Sequence, residues 1–184
     1  MERGGREMFD KQRLVSDCRE ALGGDRALRN LREVVERAVA DPPGLIAGLG
    51  EPTEGRLEVL HRSPELTVLN VIWPAGAILM PHNHALRAVI GVYSGREDNL
   101  LWRRLPDDDH GRIEAAGART LGPGDTVAFG AEVIHSVVNP VRGTTAAIHV
   151  YDGDFFGVNR SEWDPQSLHE RPLDMERVLR TFGR

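Results

Sequence analysis

Seven histidines occur in this chain of 184 residues, and two of them, His82 and His84, stand one residue apart in the stretch MPHNHALRAVIGVYSG. The chemistry such a pair suggests is metal binding. On a β-strand, residues i and i+2 project to one face, so both imidazoles can approach a single ion. Alone, the pair reads equally as two surface histidines. Its surroundings argue for an interior site. Gly76 and Pro81 bring the chain through a turn, and Leu86, Ala88, Ile90 and Val92 continue the same parity as an apolar row. Histidines at the head of an inward-facing row need partners inside the protein. Candidates lie further on. His135 enters a strand in GPGDTVAFGAEVIHSVVNP and shares its face with Val133, Val137 and Asn139. His149, in AAIHVYDGD, shares its face with Ala147 and Tyr151. His61, His110 and His169 have polar neighbours and read as solvated loop residues.

The elements that must position these residues follow from periodicity. MFDKQRLVSDCREALGG places Met8, Leu14, Val15, Cys18, Ala21 and Leu22 on one helical face, and Gly23-Gly24 ends the run. DRALRNLREVVERAVAD repeats the pattern through Leu28, Leu31, Val34, Val35 and Val39, and a short third helix is expected over Leu45 to Leu49. From Gly55 the texture changes to short apolar or alternating segments separated by Pro, Gly, Asp and Asn. About eight strands without a helical break predict a closed or sandwich-like all-β unit. Three regions result: a helical lead over 1–54 packed on the barrel, a barrel over 55–155, and a tail over 156–184. The tail reads as an irregular crossing with one short last helix. Glu97-Asp98-Asn99 and Asp107-Asp108-Asp109 read as turns.

Composition excludes several functions. A net charge of −5 argues against non-specific nucleic-acid binding and against a polybasic membrane contact. No apolar run has the length of a transmembrane helix, and MERGGREMFDKQR is charged where a signal peptide needs apolar residues. The single cysteine, Cys18, allows no intramolecular disulfide and no Cys-rich zinc site. A reducing, cytoplasmic location is the expectation.

The histidines sit in a recognisable frame. Gly76, then His82-Asn83-His84, then Gly95 resembles the first cupin motif, and Gly124 leading to His135 and Asn139 resembles the second, with Gly130 and Glu132 at the usual Pro and Gly positions. The match covers about residues 55–155. The resemblance implies a mainly β fold: a double-stranded β-helix (jelly-roll) barrel, with N-terminal α-helices packed on it and a short C-terminal helix. It also implies that His82, His84 and His135 hold a divalent metal inside. Many cupins add a glutamate shortly after the histidine pair, but that place is Ala88 or Val89 here, and Glu97 is a poor substitute by parity and distance. A set of three neutral imidazoles is similar to that of the thiol dioxygenase branch, cysteine dioxygenase and mercaptopropionate dioxygenase. His149 and Tyr151 resemble that branch's Ser-x-His-x-Tyr segment, with Ala147 replacing the serine. The cysteine that cross-links the tyrosine in animal cysteine dioxygenases would fall at Val89. The run from LHRSPELTVLNVIWPAG to HVYDGDFF also resembles bacterial proteins described as metal-dependent enzymes of the double-stranded β-helix superfamily.

On this resemblance the metal is Fe(II), although the imidazole set also suits Ni, Zn or Cu. The expected catalytic pair is Tyr151 and His149. The expected cation for a substrate carboxylate is Arg62, with Arg56 and Arg87 as substitutes, although Arg87 has the wrong parity to face the metal. Trp73, Trp102 and Phe129 are expected in the core or cavity wall, and Cys18 as a small buried hydrophobe. The partners would be a small thiol-bearing acid and O₂, with no nucleic acid and no membrane. A homodimer is expected by analogy with cupins that pair through sheet edges or N-terminal arms. The alternatives are another cupin metalloenzyme (a different dioxygenase, a lyase or an isomerase) and a non-catalytic metal- or ligand-binding cupin.

Overall fold

The computed structural model describes residues 9–183, so the expectation for Met8 lies outside the described residues. Three helices lead the chain: α1 (Lys11–Leu22), α2 (Ala27–Val39) and α3 (Pro42–Leu49). Asp10 caps α1, its carboxylate accepting from the backbone N–H groups of Gln12 at 2.8 Å and Arg13 at 3.2 Å. Of the three, α2 carries the contact with the barrel, burying Leu31, Val34, Val35 and Val39. It lies flush because Gly91 has no side chain; a Cβ there would stand 2.6 Å from Val35 Cγ1 and 2.8 Å from Val39 Cγ1.

The strands that follow are β1 (Arg56–Arg62), β2 (Thr67–Trp73), β3 (Ile78–Asn83), β4 (Ala88–Ser94), β5 (Glu97–Arg104), β6 (Ile113–Leu121), β7 (Thr126–Phe129), β8 (Ile134–Val138) and β9 (Thr145–Tyr151). Their pairing is nested and antiparallel: β2 with β9, β3 with β8, β4 with β7, and β5 with β6. This is one long hairpin wound on itself; with two short tail strands, β10 (Ser161–Trp163) and β11 (Glu170–Pro172), its successive pairs lie alternately in two sheets ordered β1-β2-β9-β4-β7 and β11-β10-β3-β8-β5-β6. That winding is the double-stranded β-helix, or jelly roll. The fold is therefore mainly β with N-terminal helices and a short C-terminal helix, α4 (Met175–Arg180).

Two expectations are corrected. The tail is not irregular before its helix, because β10 (Ser161–Trp163) and β11 (Glu170–Pro172) extend the second sheet. Strands of three residues are too short to show a period of two. Glu97 and Asn99 are not turn residues either. They lie on β5 and are buried, with Asp98 between them half-buried. Among the described residues no helix is long and apolar enough to cross a membrane.

Candidate metal centre

His82 and His135 face each other across the β3–β8 ladder, where they are register partners. Between Leu79 and His82 the register shifts, and Pro81, which has no N–H to give the ladder, stands in that bulge. His84 lies just beyond β3. There the chain turns through Ala85, at φ 51°, and crosses to the other sheet, which it joins at Ala88. The histidine pair and the apolar row are thus not one continuous strand. They sit on opposite walls of one barrel, and both point inward.

The three rings converge, with centroids 5.2 Å (His82–His84), 4.6 Å (His82–His135) and 4.8 Å (His84–His135) apart. One nitrogen from each lies within 4.8 Å of the others, and all three residues are buried. Their backs are tied. His82 Nδ1 donates to the Met80 carbonyl at 3.0 Å, and His135 Nδ1 donates to Asn99 Oδ1 at 2.7 Å. Each donation leaves the Nε2 lone pair facing inward. Burial, chiefly, lowers all three pKa values: His82 to about 4, His84 and His135 well below the ordinary histidine value. Neutral imidazoles have no proton to lose before binding a metal.

This donor set fits a divalent ion. Two ligands at right angles, each about 2.1 Å from one ion, stand about 3.0 Å apart, and the Nε2 atoms of His84 and His135 are 3.1 Å apart. No carboxylate joins the cluster among the described residues. Ala88 occupies the inward position opposite Tyr151, whereas Val89 packs toward the helices. Glu97 is inside the barrel, but its oxygens accept from Trp73 Nε1 at 2.8 Å and Asn99 Nδ2 at 2.9 Å.

His149 and Tyr151 lie on β9 across the cavity from the cluster. His149 Nδ1 is 3.1 Å from the Tyr151 hydroxyl, and the tyrosine ring meets His84 edge-on at 5.0 Å. Burial raises the Tyr151 pKa, so the hydroxyl keeps its proton. The enclosed cavity is small, about 30 Å³, and Trp73, His82, His84, His149, Tyr151 and Arg160 are among its walls. From the C-terminal side Val178 and Phe182 close it, Phe182 stacking on Trp73 at 4.9 Å. Outside lies a groove of about 1000 Å³, and Arg160 and Leu173 line both spaces.

Arg62 does not line this cavity. It forms a bidentate pair with Asp154 at 2.8 and 2.9 Å on the surface. Arg56 stands 3.8 Å from Glu58, and Arg87 is paired with Asp152. The cation in the cavity wall is Arg160, which sequence reasoning missed. Its guanidinium carbon lies 3.8 Å over the Phe155 ring, and its buried Nε has no hydrogen-bond partner. No carboxylate pairs with it among the described residues. It comes from the loop Gly157-Val158-Asn159-Arg160, which carries no periodicity to mark it. Glu97 left no signal either: Glu97, Asn99 and Leu101 alternate with the more exposed Asp98 and Leu100 in burial, but the residue types do not alternate. Of the remaining histidines, His61 lies on β1, and His110 and His169 stack on each other at 4.4 Å.

No protein-family model matches the chain, and no curated protein matches it. Solved structures to which it is similar include two described as having a double-stranded β-helix. The DMSP lyase DddQ from Ruegeria pomeroyi DSS-3 has 20% identity over 62% of this chain and 54% of that one, with a TM-score of 0.47. An RmlC-like cupin from Methanocaldococcus jannaschii has 12% identity over 56% and 84%, with a TM-score of 0.45. KdgF from Halomonas sp. has 20% identity over 56% and 82%, with a TM-score of 0.41. The chain thus spans about half the length of the DddQ structure.

Proposed function

We propose that this chain is a thiol dioxygenase that takes a small thiol-bearing acid, such as cysteine or mercaptopropionate, and one O₂ to the corresponding sulfinic acid. Both oxygen atoms end on sulfur, so no further reductant is needed. The observation that carries the reading is a neutral ligand set, His82, His84 and His135, facing a cavity whose wall includes the Arg160 guanidinium, with no carboxylate partner among the described residues and a buried Nε that makes no hydrogen bond. Such a site has no carboxylate among its three ligands and none paired with Arg160, and Glu97 alone does not balance a divalent ion and a guanidinium, which favours a dianionic guest: a thiolate at one end and a carboxylate at the other.

Fe(II), when bound by the three histidines, would lower the thiol pKa and supply the redox chemistry. The chain does the rest. Arg160 holds the substrate carboxylate, since its fork of donors matches carboxylate geometry. The Tyr151 hydroxyl, held by His149, positions the substrate's polar end. The Trp73, Phe155 and Phe182 rings exclude water and limit the guest to a small molecule. A cavity of about 30 Å³ has room for little more than a water, so entry requires the Arg160–Leu173 wall to give way toward the outer groove. The partners are then small molecules, and a substrate that must stay reduced suits the cytoplasm.

Oxygen uptake by the iron-loaded protein tests this, with cysteine, mercaptopropionate, cysteamine and glutathione as substrates. Uptake of one O₂ per thiol, confined to the thiols with a nearby carboxylate, is the expected result. If no thiol elicits uptake, thiol oxidation is wrong and a non-oxidative reaction at the same metal becomes the better reading.

A further inference from the structure

Glu97 is fully buried, on β5, and the two side chains that hydrogen-bond to its carboxylate are both donors. Trp73 Nε1 reaches Oε2 at 2.8 Å, Asn99 Nδ2 reaches Oε1 at 2.9 Å, and His149 Nε2 stands 3.9 Å from Oε2. An ionised carboxylate only accepts, so it fixes what each neighbour presents to it. Asn99 must turn its NH₂ toward Glu97, which directs its Oδ1 to His135 Nδ1 at 2.7 Å. His135 must then carry its hydrogen on Nδ1 and keep Nε2 bare beside His84. On the other side, His149 Nε2 has no hydrogen-bond partner in the structure, and Glu97 is the acceptor that faces it. With its hydrogen on Nε2, His149 Nδ1 accepts from the Tyr151 hydroxyl at 3.1 Å. One buried anion therefore stands between the back of a metal ligand and the cavity pair.

We infer that Glu97 is a positioning residue: through Asn99 it sets the tautomer of His135, and directly it sets that of His149. The carboxylate that many such sites place on the metal is here placed behind it. The inference rests on His82, His84 and His135 being a metal site, and is independent of the reaction run there. Burial alone would raise the Glu97 pKa. The His149 ring and the Asn99 and Trp73 donors outweigh burial, and Glu97 stays ionised with its pKa below the usual glutamate value.

Glu97→Gln is the sharpest variant, because it keeps the shape but replaces one acceptor oxygen with a donor. Whichever way the amide turns, one surrounding donor then meets an N–H. Two readouts avoid O₂ and thiol altogether: Co(II) affinity, and the ¹⁵N spectrum of labelled histidines in the metal-free protein at neutral pH. In the wild-type chain, His135 should appear as the Nδ1–H form and His149 as the Nε2–H form. Glu97→Gln, checked for folding by near-UV circular dichroism, should lose about 10- to 100-fold in Co(II) affinity where its amide NH₂ faces Asn99, or the Nε2–H signature of His149 where it faces Trp73 and His149. Tyr151→Phe should change Co(II) affinity by less than about 2-fold, because it leaves the Asn99–His135 arm intact. A folded Glu97→Gln with wild-type Co(II) affinity and an unchanged His149 spectrum overturns the inference. So does an Nδ1–H His149 in the wild-type chain, which needs no variant. Thiol oxidation can fail while this network stands, and the network can fail while oxidation stands.

Discussion

The two faces of the five-stranded sheet are built from the same strands and differ in kind. Toward α2, Val68, Ile72, Val89, Ile148 and Val150 meet Leu31, Val34, Val35 and Val39 in an apolar layer. Its polar members are satisfied locally, as where Tyr93 donates to Asn70 Oδ1 at 2.8 Å. Cys18 lies there too, and burial first, then Asp17, push its thiol pKa up to about 12, so it is inert. The alternate residues Leu69, Trp73, Ala88, Ala147, His149 and Tyr151 face the barrel, with His82, His84 and His135 on the opposite wall. Among the described residues, both buried side-chain atoms without hydrogen-bond partners, His149 Nε2 and Arg160 Nε, belong to residues lining the cavity on that side. A fold tolerates such atoms only where stability comes from elsewhere. The helix-facing layer supplies it, and the barrel interior is left free to hold chemistry.

The comparison can be broken from either side. The largest effect is expected from His82→Ala, which should reduce bound metal to background in a protein that still folds; elemental analysis checks it, and retained metal would refute the site. On the other face, Leu31→Ala should cost about 2–5 kcal/mol in urea unfolding, with metal content unchanged. Loss of metal from the still-folded variant would show that the two layers are not independent. Acid should weaken the metal-free protein on the barrel side, where burial lowers the His82 pKa. His82 stays neutral in the folded state down to about 4 but takes a proton near 6.5 when unfolded. The unfolded state therefore binds more protons between these values, and stability falls as pH drops through that window, by about 1.4 kcal/mol per pH unit for this residue. Urea midpoints across the window, compared with those of His82→Ala, isolate the contribution. Arg160→Gln should raise KM by about 10- to 100-fold with metal content intact, as expected for loss of a charge-assisted hydrogen bond. The smallest change belongs to Arg62→Ala: KM within about 2-fold, because an exposed pair with Asp154 contributes little. A larger effect from Arg62 than from Arg160 would reverse the assignment of the carboxylate-binding cation.

Much of this architecture is legible in the chain itself. Alternation marked the strands, the Gly-Gly and Pro-Pro stops marked the helices, and parity put His82, His84 and His135 on inward faces. These are local properties, repeated every two or 3.6 residues, and they survive translation into structure. The residues that were misplaced have no such local signature. Glu97 follows Gly95-Arg96 and reads as the end of a turn, but it is the first residue of β5 and enters the barrel. Arg62 sits on a strand next to the candidate site and reads as the natural cation, yet Asp154, far along the chain, claims it. Arg160 lies in an aperiodic loop and reaches the cavity because Phe155 and the C-terminal segment fold over the barrel mouth.

Sequence alone thus determined the histidine types of the candidate site, the fold class and the absence of a carboxylate where the apolar row begins, because each depends on residue identity and short-range spacing. Tertiary structure alone decided which cation faces the cavity, which acid lies behind His135 and His149, and how little room the cavity has. Those outcomes depend on pairs of residues distant in the chain. Their meeting is set by how the wound hairpin and its tail close on one another.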